Sequence, residues 1–159
     1  MIRRFLVRLV ALALLLAAYF SLDWVLLRRL LRSCAAFTLR RLGHCTASVD
    51  NGSELLLVVD SEPYAMTANC TYADLFLAVA PFCWRAELRP AGNLRRLVAL
   101  ALAIFFGNVV RTSLTLHLTA KGVPWALAHT VPDKLIHTAA VGGSAIVAVR
   151  GDWEAAADG

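Results

Sequence analysis

Three residues in this chain are of types that do covalent and proton-transfer chemistry, and each stands in or beside an apolar run: Cys70, Arg111 and His129. Cys70 opens one run, and Asp74 follows a helical turn later on the same face. A thiol beside a guanidinium and an imidazole gains thiolate character and becomes a nucleophile. Arg111 sits inside a second run, where an arginine facing lipid costs about 2.5 to 3.5 kcal/mol, so it needs an interior partner. Asn108 precedes it by three residues and shares its helical face. His129 lies in the polar segment that follows, where an acid or base is useful. The bland alternative is an Asp74–Arg111 ion pair that joins two helices, with the thiol inert. Of the remaining imidazoles, His117 reads as a structural helix residue and His137 as an interfacial anchor or an alternative proton-transfer group. Cys83 reads as a small core residue.

The elements that position these groups follow from composition. The chain has 159 residues, of which 59% are hydrophobic and 17% charged, with mean hydropathy +0.64. An ordinary soluble domain is roughly half apolar and about a quarter charged, so a soluble monomer is nearly excluded. The net charge of +5 arises mostly from arginines clustered beside apolar runs, the pattern of headgroup anchors and not of a nucleic-acid-binding face. The four cysteines form no CxxC pair and no zinc-ligand spacing with histidine, so neither a metal nor a cofactor is expected. At most one disulfide, Cys34 with Cys45, is expected outside the membrane.

The expected architecture is a single all-α integral membrane bundle of about four transmembrane helices, with a small extracytoplasmic β-hairpin before the second span. The spans are read at 5–27, 64–84, 97–120 and 135–150, each near the ~20 residues a bilayer requires except the short, small-residue-rich fourth. The first is read as a retained span because no small-x-small cleavage site follows it. Residues 28–44 set Leu30, Leu31, Cys34, Phe37 and Leu42 against five arginines, which suits an amphipathic helix on the interface. Residues 46–69 contain Asp50-Asn51-Gly52 before the aliphatic run Glu54 to Val59, a hairpin signal. Arg3 and the Arg85 to Arg96 turn are expected in the cytoplasm, which places Cys70 and the segment containing His129 outside. A multi-pass protein of the cell inner (plasma) membrane results. Too few polar residues line the spans for a transporter, and no internal repeat is visible.

With these residues in order, EPYAMTANCTYADL, then Asn108-Val109-Val110-Arg111, then WALAH ending at His129, the chain resembles the exosortase/archaeosortase family of membrane cysteine transpeptidases. The resemblance covers roughly residues 46–150. It implies Cys70 as nucleophile, Arg111 as the group that stabilises the thiolate or oxyanion, and His129 as the proton-transfer partner, supported by Asn108 and Asp74. Expected substrates are secreted proteins ending in a short motif, an apolar span and a basic tail, cleaved through a thioester. Two departures stand out: Thr71-Tyr72 replaces the family's Ser-Gly after the cysteine, and His-Thr-Val-Pro stands where a Gly is common after the histidine. The chain is also shorter than many members, so a partner membrane protein is expected to supply the missing helices. A non-catalytic scaffold that recruits such tails is the alternative.

Overall fold

The computed structural model describes residues 2–52, 54–85 and 88–157, without the side chains of 2–5, 144–145 and 147–157. In chain order the elements are α1 (Ile2–Ser21), α2 (Val25–Arg41), β1 (Thr46–Asn51), β2 (Glu54–Val59), β3 (Glu62–Ala65), a 3-10 turn (Ala68–Thr71), α3 (Ala73–Cys83), α4 (Pro90–Ala120) and α5 (Trp125–Ala157). They form two compact units. One comprises Met1–Leu22, Ala73–Ile104 and His137–Gly159; the other comprises Asp23–Tyr72 and Phe105–Ile136.

In the first unit α1 packs against α3. The connection into α4 is shaped by Asn93, which is almost wholly buried. Its Oδ1 accepts the Arg85 N–H at 2.9 Å, and its Nδ2 donates to the Arg85 carbonyl at 2.7 Å, so one amide closes both backbone groups of a turn. Along α4, Leu94, Val98, Leu102, Phe106, Val110 and Leu114 recur every fourth residue and remain exposed. Such a stripe is what a span shows to lipid. Among the described residues α4 is the one helix long and apolar enough by itself to cross a membrane.

The second unit is built on a sheet, not on a bundle. β1, β2 and β3 form an antiparallel meander in that order. The first hairpin closes between Asn51 and Glu54 around Gly52, where the sequence signal placed it. The second hairpin closes on Asp60 and Ser61, both at positive φ (50° and 77°), as tight two-residue turns require. The Asp60 strain is offset locally: its carboxylate accepts the Cys45 N–H at 2.9 Å and faces His44 Nδ1 at 2.5 Å. These two hydrogen bonds hold the Asp60 carboxyl below the usual carboxylate range, His44 contributing most.

Helix α2 covers the sheet with Arg28, Leu31, Arg32, Ala35, Ala36 and Leu39, a face with strict helical spacing. Leu31 and Leu39 join Leu55, Leu57, Val59 and Met66 from the sheet and its exit, and Val109 and Leu116 from α4, in one core. Arg28 Nε donates to the Met66 carbonyl at 2.7 Å and its Nη1 pairs with Asp23 at 2.9 Å. Arg32 Nη1 donates to Asp50 and to the Val49 carbonyl. The Arg32 guanidinium, with Arg29 adding to it, keeps the Asp50 carboxyl below its ordinary range. Gly43 (φ +90°) and Gly122 (φ +87°) terminate α2 and α4, and the returning N–H groups of His44 and Val123 close each end on Leu39 and Leu118.

Several expectations are overturned. The chain is not a four-span all-α bundle, because a three-stranded sheet occupies the second unit and, among the described residues, one helix alone is by itself long and apolar enough to cross a membrane. The first expected span, 5–27, ends at Ser21; Trp24 takes a left-handed conformation (φ 54°) and a separate helix begins at Val25. Apolar composition cannot reveal such a break. The second, 64–84, begins in β3 and leaves α3 only 11 residues. At 1.5 Å per residue, α3 is about 17 Å long against a hydrocarbon core of roughly 30 Å. The fourth, 135–150, is the middle of α5, which starts ten residues earlier at Trp125. The 28–44 helix buries Arg28, Arg32 and Leu31 against protein, leaving only Leu30, Phe37 and Leu42 of the expected apolar face exposed. Cys34 and Cys45 are free thiols, not a disulfide.

Two outcomes test this account. Arg28→Met leaves the buried Met66 carbonyl without its donor and lowers unfolding free energy by about 2 kcal/mol, whereas Arg29→Met on the exposed face changes it by less than about 0.5 kcal/mol, both read by denaturant unfolding in detergent. Because Asp50 and Asp60 have depressed folded-state values, their contributions are complete above the ordinary carboxylate value of 3.8 and are lost as pH falls through the lower folded values. The double variant Asp50→Asn, Asp60→Asn therefore has a flatter unfolding midpoint below that pH than the parent.

Candidate functional site

The second unit contains Cys70, Asn108, Arg111 and His129, and the structure sets Cys70, Arg111 and His129 around one cavity of about 70 Å3. Its wall includes Tyr64, Ala65 and Cys70 on one side of the chain order, Arg111 and Thr115 from α4, and Trp125 and His129 from α5. Cys70 lies in the 3-10 turn that follows β3. Its Sγ is 3.4 Å from Thr67 Oγ1 and 4.0 Å from the Ala65 carbonyl oxygen.

Arg111 organises the site. It is buried, and every nitrogen of its guanidinium has a partner: Nε donates to Asn108 Oδ1 at 3.1 Å, Nη2 to Thr112 Oγ1 at 3.3 Å, and Nη1 to His129 Nε2 at 3.3 Å and Asp133 Oδ1 at 3.4 Å. Asn108 Nδ2 in turn donates to the Cys70 carbonyl at 2.5 Å, so one amide ties the turn bearing the thiol to the guanidinium. Since a guanidinium only donates, His129 Nε2 accepts, and a neutral His129 ring carries its proton on Nδ1. That nitrogen can give a proton to a reactant, whereas the ring can take one up only at Nε2, in place of the Arg111 hydrogen bond.

His129 is positioned by its helix. It was expected in a loop, but α5 starts at Trp125, and His129 lies in its second turn. Pro132 has no N–H for the carbonyl four residues back, so Ala128 loses an intrahelical partner. Thr115 Oγ1 donates to that carbonyl at 2.9 Å and fixes this turn of α5 to α4 beside the imidazole. Trp125 stacks on the His129 ring at 5.3 Å and on Tyr64 at 5.8 Å. Burial, then the Glu62 and Asp60 carboxylates, push the Tyr64 phenol up, so it stays a neutral donor at the cavity wall.

Two contributors were not legible as site residues. Tyr72 is buried and takes a left-handed backbone (φ 57°); its ring lies under the Arg111 guanidinium at 4.8 Å, and its hydroxyl donates to Asp133 Oδ1 at 2.6 Å. Strain of this kind costs about 1 to 3 kcal/mol. A desolvated cation–π contact of about 2 kcal/mol and a charge-assisted hydrogen bond of about 1.5 to 3 kcal/mol exceed it. Asp133 stands four residues after His129, a spacing that signals one helical face only once the segment is read as helix. It, and not Asp74, is the carboxylate that pairs with Arg111. Asp74 belongs to the first unit, where its buried Oδ1 has no hydrogen-bond partner among the described residues. His117 bonds through Nδ1 to His44 Nε2 at 2.7 Å, a structural use. His137 falls in the first unit and is not one of the residues that line the cavity.

No group of three or more metal-binding side chains occurs among the described residues. No protein-family model, curated protein or solved structure matches the chain. The arrangement itself offers a thiol, a fixed cation and an imidazole facing one small space. Tyr72→Phe, which keeps the ring and removes the hydroxyl, lowers the unfolding free energy by about 2 kcal/mol; an unchanged value in chemical denaturation contradicts the role given to the Tyr72–Asp133 bond.

Proposed function

We propose that the protein is a membrane-bound cysteine peptidase or transpeptidase of the exosortase kind, acting on the C-terminal sorting tails of secreted proteins. The observation that carries the reading is that Cys70, Arg111 and His129, drawn from three separate elements, line the same cavity. Position 72 adds support. Where the family resemblance has a glycine after the cysteine, this chain has Tyr72 in the backbone region that glycine enters without cost.

In the proposed reaction the Cys70 sulfur attacks the scissile carbonyl carbon, and the thiol proton passes to His129 Nε2 as the Arg111 Nη1–H leaves that nitrogen for the carbonyl oxygen. Negative charge developing on the carbonyl oxygen is stabilised by Arg111, whose direction is fixed beforehand by Asn108, Thr112 and Asp133. Collapse of the tetrahedral adduct breaks the C–N bond, His129 returns the proton to the leaving amine, and a thioester on Cys70 remains. Attack on the thioester by water or an amine releases the acyl group and restores the thiol. No metal or cofactor enters these steps. The proposed location is the inner (plasma) membrane, with the cavity facing outside the cytoplasm and the substrate tail in the bilayer beside α4; a partner membrane protein completes the substrate path.

One observation favours the alternative of a tail-recruiting scaffold: the hydrogen-bonding groups of Arg111 are already engaged within the protein. Co-expression with a secreted protein ending in motif, apolar span and basic cluster separates the two. The enzyme reading expects cleavage that falls at least about 100-fold in Cys70→Ala, Arg111→Ala and His129→Ala while each variant stays in the membrane. Full processing by Cys70→Ala, scored as the size of the secreted product, ends it.

A further inference from the structure

β3 is the last strand of its sheet, so one of its edges has no strand beside it among the described residues. The register dictates which groups point off that edge. Val59 and Glu62 flank the two-residue turn and exchange both hydrogen bonds, so along the ladder Leu57–Tyr64 is again a bonded pair, while Val58–Pro63 and Leu56–Ala65 are not. The Met66 N–H, one residue further on, donates to the Leu55 carbonyl at 2.8 Å, in keeping with that alternation. The N–H and C=O of Ala65 therefore point away from β2. Pro63 presents only a carbonyl, since proline has no N–H. Ala65 is exposed, lies in the cavity wall, and its outward carbonyl is the one 4.0 Å from Cys70 Sγ. The Ala65 N–H is thus the one strand donor on this edge, beside a carbonyl whose contact is the Cys70 thiol, a weak donor that a peptide N–H can replace.

We infer that β3 is the docking strand for the segment Cys70 attacks: an extended peptide lies along it as a fourth strand, paired with the Ala65 N–H and C=O, with its scissile carbonyl in the cavity. This rests on the reading of Cys70 as nucleophile and adds to it the form of the substrate. Exposed strand edges recognise extended backbone irrespective of side chain, and adding a strand is a general mode of peptide capture. Pro63 removes the next donor along the edge, so pairing is anchored at one residue and sliding by two residues loses the Ala65 donor. Helical substrate segments are excluded because their backbone groups are already paired. The substrate residue opposite Ala65 supplies its own N–H, so N-methylation at that residue is not tolerated.

The test uses the full-length protein in detergent and two alkylating agents. Iodoacetamide has no strand-forming backbone. Acetyl-tetra-alanyl chloromethyl ketone does, and the Cys70 sulfur displaces its chloride to form a thioether. Rates at Cys70 are followed by peptide mass spectrometry and expressed as the ratio of ketone to iodoacetamide. Ala65→Pro, which deletes the edge N–H without touching the bonds to β2, lowers that ratio about tenfold, the worth of one hydrogen bond; Ala65→Val keeps the N–H and the ratio. An unchanged ratio in Ala65→Pro, with the iodoacetamide rate intact, overturns the inference. Amide hydrogen exchange in Cys70→Ala provides a readout independent of thiol reactivity: acetyl-tetra-alanine amide at millimolar concentration slows exchange at Ala65. Absence of that protection overturns strand docking, whereas an inert Cys70 with Ala65 protected removes only the nucleophile.

Discussion

A guanidinium buried in an apolar protein has to be surrounded by acceptors, and in the second unit that requirement at Arg111 determines what stands around it. Leaving such a charge unpaired costs several kcal/mol, more than any one local preference contributes. Asn108, Thr112, His129 and Asp133 meet the requirement with side chains from two helices, and Tyr72 meets it with a ring face. Because Asn108 uses its other end on the Cys70 carbonyl, and Asp133 also holds the Tyr72 hydroxyl, the partners are fixed relative to one another and not only to the cation. A site that must hold its cation still before any reactant arrives is preorganised by the same bonds that make the burial tolerable. Stability and candidate chemistry here are consequences of one interaction.

The same physics recurs on α2. Arg28 and Arg32 lie in the middle of the face that covers the sheet, which seems wrong for a helix packed on a core until their partners are counted. Each reaches a backbone carbonyl: Arg28 that of Met66, just past the end of β3, and Arg32 that of Val49, inside the β1–β2 ladder, as a second donor. The arginine stems fill space between Leu31, Ala35 and Leu39 while the heads satisfy the sheet's margin. A purely aliphatic helix would bury more apolar area and leave the Met66 carbonyl without its Arg28 donor.

This also explains what could be read from the residues and what could not. The hairpin at Asp50-Asn51-Gly52 was legible because turn chemistry is local, and the long apolar helix α4 because its run of apolar residues is unbroken over several turns. Cys70, Asn108, Arg111 and His129 were legible as types in order; the cavity brings the thiol, guanidinium and imidazole together, and Asn108 joins them through its hydrogen bonds. The rest depended on nonlocal facts. Hydropathy scores an arginine as exposed, so it cannot show that Arg28 and Arg32 are buried on backbone carbonyls of the sheet and its exit. It also merges Tyr64 and Ala65 with the apolar residues after them, although their backbone is committed to β2. Asp133 was hidden because Pro132 reads as a helix breaker, whereas the Thr115 hydroxyl takes the place of the missing intrahelical donor.

Tyr72 shows how such a compensation works at the scale of one residue. A glycine there would adopt the left-handed turn freely and leave Arg111 open on one side and Asp133 with one fewer donor. Tyrosine is strained in that conformation, but its ring covers the guanidinium and its hydroxyl reaches the carboxylate, so the strain is retained by the surroundings and not relieved. The consequence extends to the neighbouring turn. Thr71 Oγ1 donates to the Ala68 carbonyl at 2.7 Å, so the 3-10 turn carrying Cys70 is pinned at one end by Tyr72 and in its middle by Asn108. A thiol on so short an element has little freedom to leave the cavity wall, and its position is set by residues that never touch the sulfur.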